Sequence, residues 1–171
     1  MSSENCIVCQ KPKANLSCLS CQEKVCKSCA QFLTEDDFAF LPEDERKFTI
    51  GAYCSPCFDG QVAPELSEYN EIRERADDVN VYMKNQSKET RLFKRTNEFL
   101  KVPSCHDREE TLLRLAFLAA RKGYNAIIDV DITSERVRMD GGYQSSVWKG
   151  SAVAANLDFS KPPPPERGSP N

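Results

Sequence analysis

Apolar residues are distributed differently in the two parts of this 171-residue chain, and the change falls near residue 62. In residues 1–60 the large apolar side chains are few and follow no regular spacing. From residue 64 to residue 78, Leu66, Tyr69, Ile72 and Ala76 recur at three- and four-residue steps, with charged residues between them. This spacing predicts an amphipathic helix, which we interpret as a connector over residues 63–78.

Two short alternating segments follow the connector. Val79, Val81 and Met83 alternate with polar residues, residues 89–95 alternate again, and the polar residues 85–88 between them predict a turn. A period of two is typical of strands with one buried face. The pattern therefore predicts a β-hairpin at the start of a second unit, which we place at residues 79–159.

A helix is predicted next. Asp107 followed three positions later by Glu110 resembles a capping box, and Gly123 occupies the place of a left-handed C-terminal cap. On a helical wheel Leu118 lies in the middle of a polar stripe. A buried subunit contact would explain that leucine, although single exposed leucines are common. The polar residues of the stripe are Asp107, Glu110, Thr111, Arg114, Arg121 and Lys122.

Two long strands complete the second unit. Residues 125–139 place Ile128, Val130 and Ile132 on one strand face, and residues 143–157 are predicted to return as a second long strand. Asp140-Gly141-Gly142 between them predicts a hairpin turn. The order of elements is ββ-α-ββ, so the predicted fold class of the chain is α+β. Residues 160–171 contain four consecutive prolines with glycine and serine, a composition that predicts a disordered tail.

Eight of the nine cysteines form four C-x2-C knuckles: Cys6/Cys9, Cys18/Cys21, Cys26/Cys29 and Cys54/Cys57. A tetrahedral Zn²⁺ needs four ligands, and two knuckles supply one such set of thiolates. The sequence therefore predicts a small finger over residues 1–62 that binds two zinc ions. A disulfide framework would need an oxidising compartment, and a redox dithiol would need one such pair near a βαβ pattern.

Both predicted zinc sites are structural rather than catalytic. Each ion would receive four thiolates, which leaves no open position for the water that hydrolytic zinc requires. Metal binding worth about 10–16 kcal/mol per site would also stabilise a segment too short to bury enough apolar surface unaided. Among the few large apolar residues of this segment are Ile7, Leu16, Phe32, Phe38, Phe48 and Phe58.

The middle of the finger, Cys18-Leu-Ser-Cys21-Gln-Glu-Lys-Val-Cys26-Lys-Ser-Cys29, resembles the centre of FYVE-type and FYVE-related fingers, which are cross-braced. A RING finger would usually have a histidine in the fourth or fifth ligand place, and a PHD finger would have one at position 26. The single histidine of this chain, His106, lies far outside the finger. The resemblance implies that Cys6, Cys9, Cys26 and Cys29 share the first ion, while Cys18, Cys21, Cys54 and Cys57 share the second.

Charge and local sequence disfavour an anionic ligand for the finger. The basic Arg/Lys-His-His-Cys-Arg signature of lipid-binding FYVE fingers is absent around Cys18. Residues 1–60 hold six Lys and Arg against nine Asp and Glu, and eight thiolates on two Zn²⁺ add about −4. Nucleic acid is therefore disfavoured. Membrane lipid stays an alternative because of a local basic group: Lys11, Lys13, Lys24 and Lys27.

Residues 119–130, Ala-Ala-Arg-Lys-Gly-Tyr-Asn-Ala-Ile-Ile-Asp-Val, and residues 148–153, Trp-Lys-Gly-Ser-Ala-Val, resemble segments of the YbjQ-like heavy-metal-binding domains. The likeness covers residues 98–157. Members of that family are small α+β domains that assemble into rings, commonly pentamers, so the resemblance implies a homo-oligomer. The family name proves no metal site here, because its only candidates, Asp129, Asp131 and Glu135, alternate as residues on a solvent-facing strand side do.

The sequence predicts a non-catalytic protein that binds other proteins. It has no Gly-rich phosphate loop, no Ser/His/Asp set and no open metal site, so we expect no enzyme activity. We expect the zinc finger to present a binding surface and the α+β domain to multiply it by oligomerising. The alternatives are a phosphoinositide-binding, membrane-recruited adaptor and a RING-like ubiquitin ligase. Reduced thiols, no export signal and no apolar run of about 18 residues predict a cytoplasmic location.

Overall fold

The structure of the protein is a computed structural model that describes residues 5–86, 90 and 93–158. The chain divides into two compact units, residues 1–72 and residues 73–171. The division falls within the predicted connector rather than at either of its ends. The tail predicted to be disordered, residues 160–171, lies outside the described residues.

The first unit contains two pairs of short strands near its cysteines. Strands β1 (Leu16–Ser17) and β2 (Lys24–Val25) pair antiparallel, and so do β3 (Ala30–Leu33) and β4 (Gly51–Cys54). A 3-10 turn spans Glu43–Glu45. The one-turn helix α1 (Ser55–Cys57) follows β4 directly, and a wider turn over Phe58–Val62 leads into α2 (Ala63–Asp77). Helix α2 begins where the sequence predicts and ends one residue earlier.

The small hydrophobic core of the first unit contains a group of aromatic rings as well as aliphatic side chains. The buried Phe38 ring lies edge-on to Tyr69, with ring centroids 5.3 Å apart, and stacks beside Phe48 at 6.2 Å. Ile7 and Phe32, two of the apolar residues available for this core, are exposed instead. A unit with so little apolar burial needs another source of stability, and bound metal is one such source.

The second unit is a four-stranded sheet with a helix on one face. Its strand order is β5-β7-β8-β6. Strand β5 runs parallel to β7, whereas β8 is antiparallel to both β7 and β6. The fold is therefore of mixed α+β class. Its elements are β5 (Asn80–Met83), a 3-10 turn (Lys84–Gln86), β6 (Lys94–Cys105), α3 (Arg108–Arg121), β7 (Ala126–Arg138) and β8 (Gln144–Asn156).

The predicted opening hairpin is wrong. Strands β5 and β6 lie at opposite edges of the sheet, separated by β7 and β8. Alternation identifies the buried face of a strand, but it is the same for parallel and antiparallel neighbours and so does not identify the partner. Residues 87–89 and 91–92, within the predicted turn and second strand, lie outside the described residues.

Helix α3 has the caps that the sequence predicts. The Glu110 N–H donates to Asp107 Oδ1 at 2.7 Å, and Glu110 Oε2 accepts from the His106 N–H at 2.7 Å. Gly123, two residues beyond the helix, has a φ of +84° that suits glycine. Among the described residues, no helix is long and apolar enough to cross a membrane.

Gly150 on β8 lets α3 lie close to the sheet. A Cβ at Gly150 would lie 2.6 Å from Thr111 Cγ2 and 2.9 Å from Leu115 Cδ1. Thr111 is fully buried at this contact, so it does not belong to the solvent-facing stripe that the helical wheel suggests. Its hydroxyl donates to the Asp107 carbonyl at 2.7 Å instead. Leu118, in the same stripe, is half-buried.

Candidate metal centres

The eight knuckle cysteines come together in two groups of four. In each group the sulfur atoms lie within 4.8 Å of one another. Site 1 contains Cys6, Cys9, Cys26 and Cys29, and site 2 contains Cys18, Cys21, Cys54 and Cys57. These are the ligand sets that the cross-brace resemblance implies. Because site 1 takes the first and third knuckles and site 2 the second and fourth, the two sets are interleaved along the chain.

The spacing of the sulfur atoms fits a tetrahedral metal ion. Cys9 Sγ and Cys26 Sγ are 3.7 Å apart in site 1, and Cys21 Sγ and Cys54 Sγ are 3.8 Å apart in site 2. Sulfur atoms about 2.3 Å from one tetrahedral ion are separated by about 3.8 Å. A disulfide needs about 2.05 Å, and all the cysteines are free. Each group can therefore hold one metal ion.

The first knuckle of each site has the same backbone structure. The Gln10 N–H donates to the Cys6 carbonyl at 2.8 Å, and the Gln22 N–H donates to the Cys18 carbonyl at 2.9 Å. Gln10 and Gln22 have φ values of +59° and +64°. This left-handed residue directly after the second cysteine reverses the chain at a cost of about 1–2 kcal/mol. The reversal keeps both thiols of the knuckle on one side.

A second equivalent contact joins each of these knuckles to the segment that carries the other half of its site. The Ile7 N–H donates to the Lys24 carbonyl at 2.8 Å, and the Leu19 N–H donates to the Ala52 carbonyl at 3.0 Å. Each acceptor lies two residues before the third cysteine of its site. The chain therefore repeats one local design, and each ion position is fixed by backbone hydrogen bonds as well as by the ligands.

Ser55 links the two sites to each other. Its hydroxyl donates to the carbonyl of Cys29, a site 1 ligand, at 2.9 Å. Ser55 itself begins α1, the one-turn helix that ends at Cys57 of site 2. Pro56 lies in the first turn of that helix, where its missing N–H removes no intrahelical hydrogen bond. This hydrogen bond therefore joins a ligand of site 1, Cys29, to the residue that directly follows Cys54 of site 2.

The thiols of each site differ in acidity. Burial raises the pKa of Cys6, but backbone hydrogen bonds, the largest from Cys26, outweigh it and lower the pKa to about 6. Cys18 is equivalent: burial raises its pKa, and backbone hydrogen bonds, led by that of Cys21, lower it to about 6. A hydrogen bond with the Cys26 side chain raises the pKa of Cys29 to about 12. The pKa of Cys54 is also raised to about 12, in this case mainly by burial.

A bound ion would be fully coordinated by thiolates. Among the described residues, no histidine or carboxylate joins either group. The site 1 cysteines are buried or half-buried, whereas Cys21 of site 2 is exposed. Four thiolates would leave no position on such an ion for water or substrate. Tetrahedral sulfur coordination suits zinc and iron.

Within the described part of the second unit, the acidic residues form no third group of ligands. Each of the three candidates lies beside a basic side chain rather than beside another acid. Among the described residues, groups of three or more potential ligands occur only in the two cysteine sites. The acid–base pairs are Asp129–Arg95 at 2.9 Å, Asp131–Lys84 at 3.5 Å and Glu135–Lys149 at 2.7 Å.

Cys105, the ninth cysteine, belongs to neither metal site. It is buried, and burial raises the pKa of its thiol.

Apolar side chains at the tips of the knuckles are functional candidates that the sequence analysis missed. Ile7, Val8 and Leu19 are 45 %, 39 % and 47 % exposed. Ile7 and Leu19 are equivalent, because each directly follows the first cysteine of its site. The signal was present in the sequence: a residue between the cysteines of a tight knuckle lies on the outside of a turn, away from any core.

Comparison with known proteins leaves the family open. The chain matches no family model, no curated protein and no solved structure. The function has to be inferred from the geometry of the two units.

Proposed function

We propose that the protein is a non-catalytic scaffold that binds another protein through its finger and repeats that surface by self-assembly. In this proposal the finger is a FYVE-related cross-brace module with two structural Zn²⁺ ions, and the second unit is a YbjQ-like α+β domain. The proposal rests on three exposed apolar side chains that lie on the loops between paired cysteines: Ile7, Val8 and Leu19. The expected location is the cytoplasm.

Zinc is the metal that best suits these centres. It has no redox chemistry and takes four thiolates in structural sites, and eight ligands in two closed groups provide for two ions. Elemental analysis of the purified protein should give two zinc atoms per chain. An iron content near two would contradict the assignment, and so would a metal-free protein with a protected finger.

Protein binding follows from the rigidity of the knuckle tips. Metal ligation and the backbone bonds of Ile7 and Leu19 fix these loops before any partner arrives, so little conformational entropy is lost on binding. Loops on a rigid scaffold commonly carry recognition. Apolar side chains that cannot turn into a core gain stability when a partner covers them.

Substitutions at the tips test this role. Ile7→Asp and Leu19→Asp should abolish capture of the partner protein and keep two zinc ions per chain. Phe32→Asp is the matched control, because Phe32 is 49 % exposed in the same unit but lies on β3, outside the knuckle tips. Capture by the two tip variants that equals capture by the wild type contradicts the proposal.

Membrane lipid is the second candidate ligand. The hydrogen bond from the Ile7 N–H to the Lys24 carbonyl brings a lysine-bearing strand beside the apolar tip, an arrangement that also suits an anionic bilayer surface. Flotation with liposomes that contain phosphoinositide, compared with liposomes that lack it, distinguishes a lipid ligand from a protein ligand. No flotation at low salt removes the lipid candidate.

A ubiquitin ligase is the third candidate, because exposed apolar residues on zinc loops would also suit a ubiquitin-conjugating enzyme. Its test is chain formation with a panel of such enzymes, and no product across the panel removes it. Self-assembly is tested separately from all three ligands. A strict monomer at tens of micromolar in solution removes the multiplying role of the second unit.

A further inference from the structure

Strands β7 and β8 extend beyond their neighbours in the sheet. Strand β5 pairs with β7 only as far as Val130, and β6 pairs with β8 only from Trp148 onwards. The remaining ends pair only with each other among the described residues, and form a two-stranded ribbon over residues 133–147, here called the arm. Every residue from 133 to 146 is exposed.

The arm lacks a core but carries apolar side chains at its tip. Met139 is 55 % exposed and Tyr143 is 80 % exposed. The two flank the turn, where the Met139 N–H donates to the Tyr143 carbonyl at 2.8 Å. A two-stranded ribbon alone is only marginally stable in water, so a surface that covers the tip would stabilise the arm.

A shallow cavity of about 350 Å³ lies on the sheet face opposite α3. The pairs Lys101–Ser151 and Asp131–Ser151 place their side chains on that face, because the neighbouring Gly150 faces α3. Phe99, 58 % exposed, lies two residues from Lys101 on the same face. The residues that line the cavity include Lys101, Pro103, Asp131, Thr133, Lys149 and Ser151.

The arm cannot fill the cavity of its own chain. Ser151 in the cavity and Gln144 near the arm tip belong to one continuous strand, β8. Seven residues of strand separate them by about 23 Å. The strand is hydrogen-bonded to β7 over this length and cannot fold back. The tip and the cavity can therefore meet only between two chains.

One charge at the turn of the arm and one at the cavity are opposite in sign. Asp140 lies at the turn of the arm and Lys101 at the cavity, and neither takes part in an ion pair with a described residue. The other charged residues of the cavity are already paired: Lys149 with Glu135 at 2.7 Å and Asp131 with Lys84 at 3.5 Å. The Lys101 ammonium lies over the Phe99 ring, 5.4 Å from its centroid, and has no carboxylate partner among the described residues. An incoming carboxylate can therefore pair with it.

We propose that the arm tip of one chain docks into this cavity of a second copy. Tyr143 is the anchor beside Phe99, and Asp140 pairs with Lys101. The inference rests on the self-assembly in the proposed function and assigns the surfaces that produce it. Because the arm tip and the cavity are different surfaces, the contact repeats head to tail and produces a ring if the rotation closes.

The solution mass of the full chain, measured by light scattering at tens of micromolar, tests the anchor. We expect an oligomer for the wild type and a monomer for Tyr143→Asp, since loss of a buried aromatic anchor weakens association about 30-fold or more. Tyr143 is so exposed that the variant should keep its circular dichroism spectrum. Val81→Asp, at an exposed apolar residue of β5 outside the arm, is the control and should stay oligomeric.

A charge exchange tests the Asp140–Lys101 pair. Asp140→Lys and Lys101→Glu should each weaken self-association, and the double variant should restore it. Lys94→Glu is the matched control, because Lys94 is exposed on the same strand outside the cavity. An equal mixture of Tyr143→Asp and the cavity-filling Ser151→Trp should give dimers and nothing larger, because such a pair retains one intact contact.

The outcomes separate this inference from the proposed function. An oligomer that survives Tyr143→Asp overturns the role of the arm but keeps self-assembly. If Leu118→Asp is monomeric while Tyr143→Asp stays oligomeric, the contact lies on α3, and the role of the arm is again overturned. A monomeric wild type overturns both the arm and the multiplying role. Binding of a partner by the finger is measured independently, through the knuckle-tip variants and zinc content.

Discussion

The two units of this chain are built in different ways. The first unit buries a few aromatic side chains around Phe38 and directs eight thiols into two clusters. The second unit packs α3 on a sheet, with Leu115, Phe117 and Ile127 fully buried and no metal cluster among its described residues. The comparison teaches that ligands can take over the role of a core where apolar side chains are scarce.

Metal removal should produce the largest difference between the units. A strong chelator should unfold residues 5–72, because about 10–16 kcal/mol per site is lost near neutral pH, and leave residues 93–158 folded. Hydrogen exchange resolved by peptide measures both units in one sample. If the finger stays protected from hydrogen exchange after metal removal, bound metal is not what stabilises the first unit. Cys105→Ser is the control, since it removes a thiol outside both sites and should keep both ions.

Truncation of the core of the second unit should produce the opposite pattern. Phe117→Ala should lower the free energy of unfolding of the second unit by about 3–5 kcal/mol, through lost burial and the cavity left behind. Zinc content and protection of the finger should not change. Hydrogen exchange of each unit, measured at increasing denaturant concentration, determines the effect. Loss of metal in this variant would contradict the view that the two units are stabilised independently.

Glu110 should give the second unit a dependence on pH. Burial raises the pKa of Glu110, but the His106 N–H and the Arg114 guanidinium outweigh it and hold the pKa below its usual value. The unfolded chain therefore binds a proton more readily, and the stability from Glu110 is lost as pH falls below about 4.3 and through the folded pKa. Glu110→Gln should weaken the second unit at pH 7 by about 1 kcal/mol.

Urea midpoints at several pH values measure this effect. The acid side of the stability profile should be flatter in Glu110→Gln than in the wild type. Identical profiles would show that the capping interaction contributes nothing at neutral pH. Glu109→Gln is the matched control, because Glu109 is exposed in the same helical turn.

Ser55→Ala should have the smallest effect. It removes the 2.9 Å hydrogen bond to the Cys29 carbonyl, which is worth about 0.5–1.5 kcal/mol, and keeps all eight ligands. Both ions should still bind, but chelator competition should remove them with less cooperativity between the sites. Ser20→Ala, which loses an exposed hydrogen bond to Gln61 instead, should leave that cooperativity unchanged.

Local chemistry made several features predictable from the sequence. The knuckle spacing limits which thiols can share an ion, and the resemblance to cross-braced fingers supplied the grouping that the structure contains. The ends of α3 follow from Asp107, Glu110 and Gly123 because capping depends on neighbours within one turn. The β7–β8 turn follows from its two glycines for the same reason.

Features that depend on distant contacts were not predictable in this way. The parallel pairing of β5 with β7 joins Asn80 to Ala126 and leaves no mark in the alternation of either strand. The burial of Thr111 depends on Gly150 across the sheet. The arm was also missed as a separate feature, because the presence of neighbouring strands depends on the rest of the sheet. The unbroken polar runs at residues 133–136 and 144–146 are the signal that could have identified it.

Interleaving of the two centres has a consequence for biosynthesis. The ligands of site 1 are complete once Cys29 has been made, whereas site 2 waits for Cys57. At about 5–20 residues per second, the ribosome adds the intervening residues in roughly 1–6 seconds. We expect the nascent chain to take up its first ion in that interval, while Cys18 and Cys21 still lack their partners and depend on the cell's reductants.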